Sequence, residues 1–80
     1  MRYKIGDIVR ERPNLIPDKE YNGMRFDMGM IQYFGQKLKV SHITDGVYLL
    51  EDEYGDETYY YWTDDMLYAD AGECICETLL

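Results

Sequence analysis

The chain has 80 residues, with 8 Lys or Arg against 16 Asp or Glu and a formal net charge of −8 at neutral pH. A chain of this length makes one small domain that buries only about 60–65 % of its unfolded surface, and its acidity repels nucleic acid and anionic membrane. Nothing approaches the roughly 18 consecutive apolar residues of a membrane span, and Met1–Asp7 lacks the apolar run of a secretory signal, so the expected location is cytoplasmic.

Tyr3 to Arg12 reads as a first strand, with Gly6-Asp7 as a turn or bulge and Ile8-Val9 followed by charges that suit one wet face. Pro13, Pro17 and Asn22-Gly23 punctuate a long loop anchored by Leu15, Ile16 and Tyr21. From Met24 to Tyr33, Asp27 as a cap and the spacing of Met28, Ile31 and Tyr33 predict one or two helical turns that stop at Gly35, with Gly29 weakening the pattern. The methionines Met24, Met28 and Met30 read as core filler.

Gln36 to Ile43 alternates Leu38, Val40 and His42 with polar residues and predicts a strand. Asp45-Gly46 is a strong hairpin signal, and Val47–Asp52 is the partner strand. Glu53–Asp56 turns again, and Thr58–Trp62 is expected to complete a three-stranded meander, its run of aromatics suiting a pleated surface. Thr63, Asp64 and Asp65 offer oxygens that start and cap a short turn, plugged by Met66 and Leu67, with Tyr68-Ala69 as a last edge strand. Deep burial is expected for Ile8, Val40, Leu49 and Leu67. Residues 70–80 form a tail that either adds a strand or lays a short helix on the domain formed by 1–69. Together these elements predict a mainly β fold: an SH3-like small barrel of about five antiparallel strands with one short helical turn.

Charge is unevenly divided along the chain. All eight basic residues lie in the first 39 positions with five acids, a net of +3, whereas Val40 to Leu80 holds eleven acids and no Lys or Arg. Such a surface suits a basic partner. Because barrel strands interleave in space, the split in sequence need not survive folding.

The residues Gly6-Asp7-Ile8-Val9-Arg10, Tyr21-Asn22-Gly23, Tyr33-Phe34-Gly35-Gln36 with Val40, and Tyr61-Trp62-Thr63-Asp64-Asp65-Met66-Leu67 resemble a family of short proteins from phages, mobile elements and Firmicutes genomes. That family closes on a Trp-Thr-Asp-Glu-Met-Leu motif and is similar in outline to Mind-bomb-type SH3-like repeats. The resemblance spans Tyr3 to Leu67 and departs in Gln36, where lysine is usual, and in the added tail. It implies a small barrel and a viral or mobile-element setting, and it supplies no active site.

No constellation for catalysis is evident. His42 is the single histidine and lies in phase with Leu38 and Val40, as a core or rim residue. Asp52, Glu53, Asp56 and Glu57 crowd one hairpin but lack the alternate-acid spacing of a calcium loop. Cys74 and Cys76 are too close for an unstrained disulfide and make only half a zinc site. Arg2, Lys4, Arg10 and Arg12 alternate along the first strand as a basic stripe, but against the net charge they do not predict direct nucleic-acid binding. The expectation is therefore no cofactor, no metal and no enzyme.

What remains is protein binding. Tyr59 and Tyr61 share one face and Tyr60 and Trp62 the other, so one pair is core and the second lies at the surface or under the loop or tail. Tyrosines beside carboxylates are suited to anchoring interfaces. The candidate partner-binding set is Glu51, Asp52, Glu53, Tyr54, Asp56, Glu57, Tyr59, Tyr61, Asp64 and Asp65. The leading expectation is an inhibitor that occupies the basic, nucleic-acid-binding site of a host defence protein as an anti-CRISPR-like DNA mimic. The alternatives are an SH3-like adaptor for a peptide or assembly, and a small-molecule or metal sensor built on the acidic hairpin or Cys74 and Cys76. As a monomer or a homodimer the chain fits either of the first two.

Overall fold

The computed structural model describes residues 2–70. Its strands are β1 (Ile8–Glu11), β2 (Glu20–Tyr21), β3 (Met24–Arg25), β4 (Leu38–Thr44), β5 (Val47–Glu51) and β6 (Leu67–Ala69), with 3₁₀ helices at Met28–Tyr33 and Asp64–Met66. One sheet has the order β5-β4-β1-β6 and the other is the β2-β3 pair, and every pairing is antiparallel. The fold is mainly β, as expected. Among the described residues no ladder joins β5 to β6, so the sheet is not closed by strand pairing. The tail beyond Asp70, with Cys74 and Cys76, lies outside the described residues.

The β4–β5 hairpin follows from its turn. Asp45 and Gly46 both take positive φ, 46° and 82°, which fits the turn whose twist matches antiparallel strands. The same chemistry recurs at Asn22 and Gly23, φ 55° and 84°, and folds part of the expected loop into the β2–β3 hairpin, with Tyr21 opposite Met24. Asp27 caps the first 3₁₀ helix by accepting from the Gly29 N–H at 2.8 Å. Gly29 is required for packing: a Cβ there would lie 2.0 Å from the Tyr60 hydroxyl. The helix stops before Gly35, which sits at φ 87°.

The core is formed by Tyr3, Val9, Phe26, Met30, Leu38, Val40, Tyr48, Leu50, Trp62, Met66 and Leu67. Two expected core residues of the strands are corrected, and Met28, expected as core filler, is exposed on the first 3₁₀ helix. Ile8 is 41 % exposed and Leu49 only half-buried, because β1 turns Val9 inward and β5 turns Tyr48 and Leu50 inward; in each strand the inward set is one residue out of phase with the expectation. His42 is a further correction. The register shifts between Val40 and His42, and Ser41 is the extra residue of this bulge, so His42 leaves the phase of Leu38 and Val40 and is exposed.

The third meander strand is also corrected. Residues 57–62 follow β5 through two isolated bridges, Glu51–Glu57 and Tyr48–Trp62, and form no continuous strand. Thr58 donates to the Leu50 carbonyl at 2.9 Å, and Tyr48 and Trp62 exchange bonds of 2.7 and 3.0 Å. Between these contacts the chain has two residues too many for its partner, so Tyr59–Tyr61 bulge away. Tyr59 takes the left-handed conformation, φ 63°.

Candidate functional site

The acidic turn is built by its first residue. One carboxylate oxygen of Asp52 accepts from the N–H groups of Tyr54 (2.8 Å) and Asp56 (3.0 Å). The Asp52 N–H donates to the Asp56 carbonyl and the Gly55 N–H to the Asp52 carbonyl. Gly55 supplies the positive φ that closes the turn. The result pushes Glu53, Tyr54 and Asp56 into solvent, with Tyr54 82 % exposed.

The tyrosine bulge follows directly. Trp62 is fully buried, its indole N–H donating to Thr58 Oγ1 at 3.0 Å, and it meets Tyr33 edge to face with centroids 6.1 Å apart. Tyr60 is half-buried, also edge to face with Tyr33 at 6.4 Å. Tyr59 is 86 % and Tyr61 54 % exposed. The two pairs separate although the segment is no strand, and Tyr59 and Tyr61 are the outward pair. A hollow of about 220 Å³ lies between this bulge and Met24, Arg25, Asp27 and Met30.

The carboxylates have unequal roles. Glu51 pairs with Lys39 at 3.7 Å. Asp52 is consumed by the turn. Glu57 is half-buried beside Ser41 Oγ at 3.4 Å, with its other oxygen buried and unpartnered. Glu53 and Asp56 are exposed and form no ion pair among the described residues. The phenol of Tyr33 is pushed upward by burial, then by Tyr60 and the carboxylates of Asp52, Asp56 and Glu57, so the negative field of the hairpin converges on the ring that supports the bulge.

Asp64 and Asp65 do not join this group. The Tyr48–Trp62 bridge that leads to them is three residues along β5 from the Glu51–Glu57 bridge. Nor do they cap the turn: Thr63 is the N-cap residue and makes no side-chain cap bond, its hydroxyl donating instead to the Tyr21 carbonyl at 2.9 Å. Asp64 accepts from the Tyr48 hydroxyl and from the Arg2 N–H. Tyr48 in turn accepts from the N–H groups of Arg2 and Tyr3, both at 3.0 Å. Burial first, then the bond to Asp64, raises its phenol. This cluster is a clasp between the N-terminal segment and the closing turn. Asp65 is exposed.

The basic stripe is likewise dispersed. Arg10 pairs with Asp70 through Nε and reaches the Gly35 carbonyl at 3.1 Å, and Arg12 Nε donates to the Leu67 carbonyl at 2.9 Å. Lys37 and Lys39 share a groove of about 550 Å³ with Glu51, Asp52 and Glu53. The basic and acidic halves of the chain thus interleave on the sheet, as β4 lies beside β5.

Glu11 is the residue that the sequence reading missed. It is 3 % exposed, with Oε1 unpartnered, and burial raises its carboxyl from 4.5 to about 7. Placing Val9 inward would have revealed it, since Glu11 follows two positions later on the same face.

Among the described residues no three His, Cys, Asp or Glu side chains converge as a metal site, and no helix is long and apolar enough to cross a membrane. Comparison with known families, curated proteins and solved structures returned no match.

Proposed function

We propose that the protein is a non-catalytic binding module whose hairpin and bulge, Glu53, Tyr54, Asp56, Tyr59 and Tyr61, dock on a basic surface of a partner protein. The observation that carries this reading is Tyr59: a bulky side chain 86 % exposed on a left-handed backbone. That conformation costs a non-glycine residue about 1–2 kcal/mol, and no core contact of an outward ring offsets it. Backbone strain that presents an aromatic ring to solvent, three residues along the chain from the exposed Asp56, is suited to an interface anchor.

The partner class that fits is a basic, nucleic-acid-binding host protein whose nucleic-acid site the module blocks, as an anti-CRISPR-type inhibitor would. Two unpaired hairpin carboxylates make a local acidic point beside an aromatic anchor, which is narrower than a phosphate-like array over the whole sheet. We further infer an open, SH3-like small-barrel architecture, supported by the four-stranded antiparallel sheet, the closing 3₁₀ turn and the buried Trp62.

The test is a pull-down from host lysate with the wild type and a Glu53→Lys, Asp56→Lys double variant, washed at low and high salt. The expected result is one basic nucleic-acid-binding protein, released by high salt and not retained by the variant. Retention by the variant, or a salt-resistant partner without a basic surface, would replace the inhibitor reading with the adaptor.

A further inference from the structure

A third cleft opens at the end of β1, and it differs in kind from the acidic hairpin. It has a volume of about 280 Å³ and is lined by Glu11, Arg12, Pro13, Asn14, Leu15, Ile31 and Phe34. Glu11 is its most deeply buried lining residue, with Oε1 reached by no donor. Phe34 and Ile31 stand exposed around it, Phe34 at 56 %. A buried carboxyl with an unmet acceptor is costly unless something donates to it, and a cation is the strongest donor it can have.

The fold does not supply that cation. Arg12, the residue after β1, lines the same cleft, but its Nε is committed to the Leu67 carbonyl and it forms no ion pair with Glu11 among the described residues. Leu67 is the register partner of Glu11 on β6, and the Tyr3 hydroxyl donates to that same carbonyl at 3.4 Å. The segment 13–15, Ile31 of the helix and Phe34 just after it add no charge to the cleft.

We propose that this cleft is a socket for one arginine side chain of a partner protein, its guanidinium paired with the Glu11 carboxylate and its stem laid along Leu15, Ile31 and the Phe34 ring. The volume sits at the small end of ligand pockets, which run about 300–1,000 Å³, and so suits a side chain better than a cofactor. Arginine fits better than lysine because its planar guanidinium donates in a fixed fork to a carboxylate and its face stacks on an aromatic ring. Arg12 on the rim is the one opposing charge, and it favours a single cation over a basic cluster. The socket stands independently of the hairpin interface.

The test is an amide NMR titration of the whole chain with N-acetylarginine amide at pH 6 and pH 8. Saturable shifts are expected at Glu11, Leu15, Ile31 and Phe34. Apparent affinity should be about tenfold higher at pH 8, because at pH 6 a carboxyl titrating near 7 is ionised in only about a tenth of molecules. Glu11→Gln should abolish the shifts and Phe34→Ala, on the exposed rim, should weaken them severalfold in a spectrum that remains dispersed. Shifts that persist in Glu11→Gln, that do not depend on pH, or that appear only at Glu53 and Asp56 would overturn the socket. The last of these would leave the hairpin reading standing.

Discussion

At the scale of single residues, two buried polar groups shape stability differently, Tyr48 through its partners and Glu11 through its protonation state. Tyr48 serves three partners at once: two backbone N–H groups donate to its hydroxyl, which donates to Asp64. Tyr48→Phe keeps the ring, orphans the buried Tyr3 N–H and leaves the Arg2 N–H and Asp64 only each other, so it should cost about 1–3 kcal/mol, measured by chemical denaturation. Among the described residues Glu11 has no partner, and burial holds its folded pKa at about 7, above the ordinary 4.5. Between those values the folded state holds a proton that the unfolded state has released, so its stabilising effect is complete below pH 4.5 and is lost as pH rises through 7. The loss is about 3 kcal/mol at about 1.4 kcal/mol per pKa unit. Glu11→Gln should remove that slope and melt above the wild type at pH 8. A wild-type stability flat from pH 4.5 to 8 would contradict the burial of this group.

At the scale of elements, the bulge after the acidic turn exchanges stability for presentation. Tyr59→Gly relieves the left-handed strain at φ 63° and should raise stability by up to about 1 kcal/mol while weakening partner binding; a melting curve and a binding isotherm on the same variant separate the two. Trp62→Ala, by contrast, empties the core and should cost about 3–5 kcal/mol. The sequence made the β4–β5 hairpin, the Asp27-capped helix and the edge strand at Tyr68-Ala69 legible, because turn chemistry and capping are local. It misplaced what depends on contacts distant in the chain. Whether Ile8 or Val9 faces inward is decided by pairing to β4 and β6, His42 is turned outward by a bulge at Ser41, and 57–62 fails as a strand because Tyr59–Tyr61 exceed the length of their partner. Asn22-Gly23 was the opposite case: a local hairpin signal present in the sequence and read as loop. For the site, alternation sets Tyr59 and Tyr61 apart from Tyr60 and Trp62 without saying which pair faces out, and the separation of Asp64 from the hairpin depends on the position of the Tyr48 hydroxyl.

At the scale of the whole molecule, folding interleaves the charges that the chain keeps apart. Lys39 meets Glu51 and Arg10 meets Asp70, and the net charge of −8 acts as a long-range field to which Glu53 and Asp56, exposed on the acidic turn with Tyr54, contribute. This assigns the carboxylates to encounter and the tyrosines to residence. The most direct measurement is the association and dissociation kinetics of the captured partner with wild type, Glu53→Lys/Asp56→Lys and Tyr59→Ala across a salt series. The account predicts an on-rate about tenfold lower for the charge variant at low salt, converging with wild type as salt screens exposed charges beyond a Debye length of about 8 Å, and a faster off-rate alone for Tyr59→Ala. An on-rate indifferent to both salt and charge reversal, with Tyr59→Ala dissociating as slowly as wild type, would contradict it.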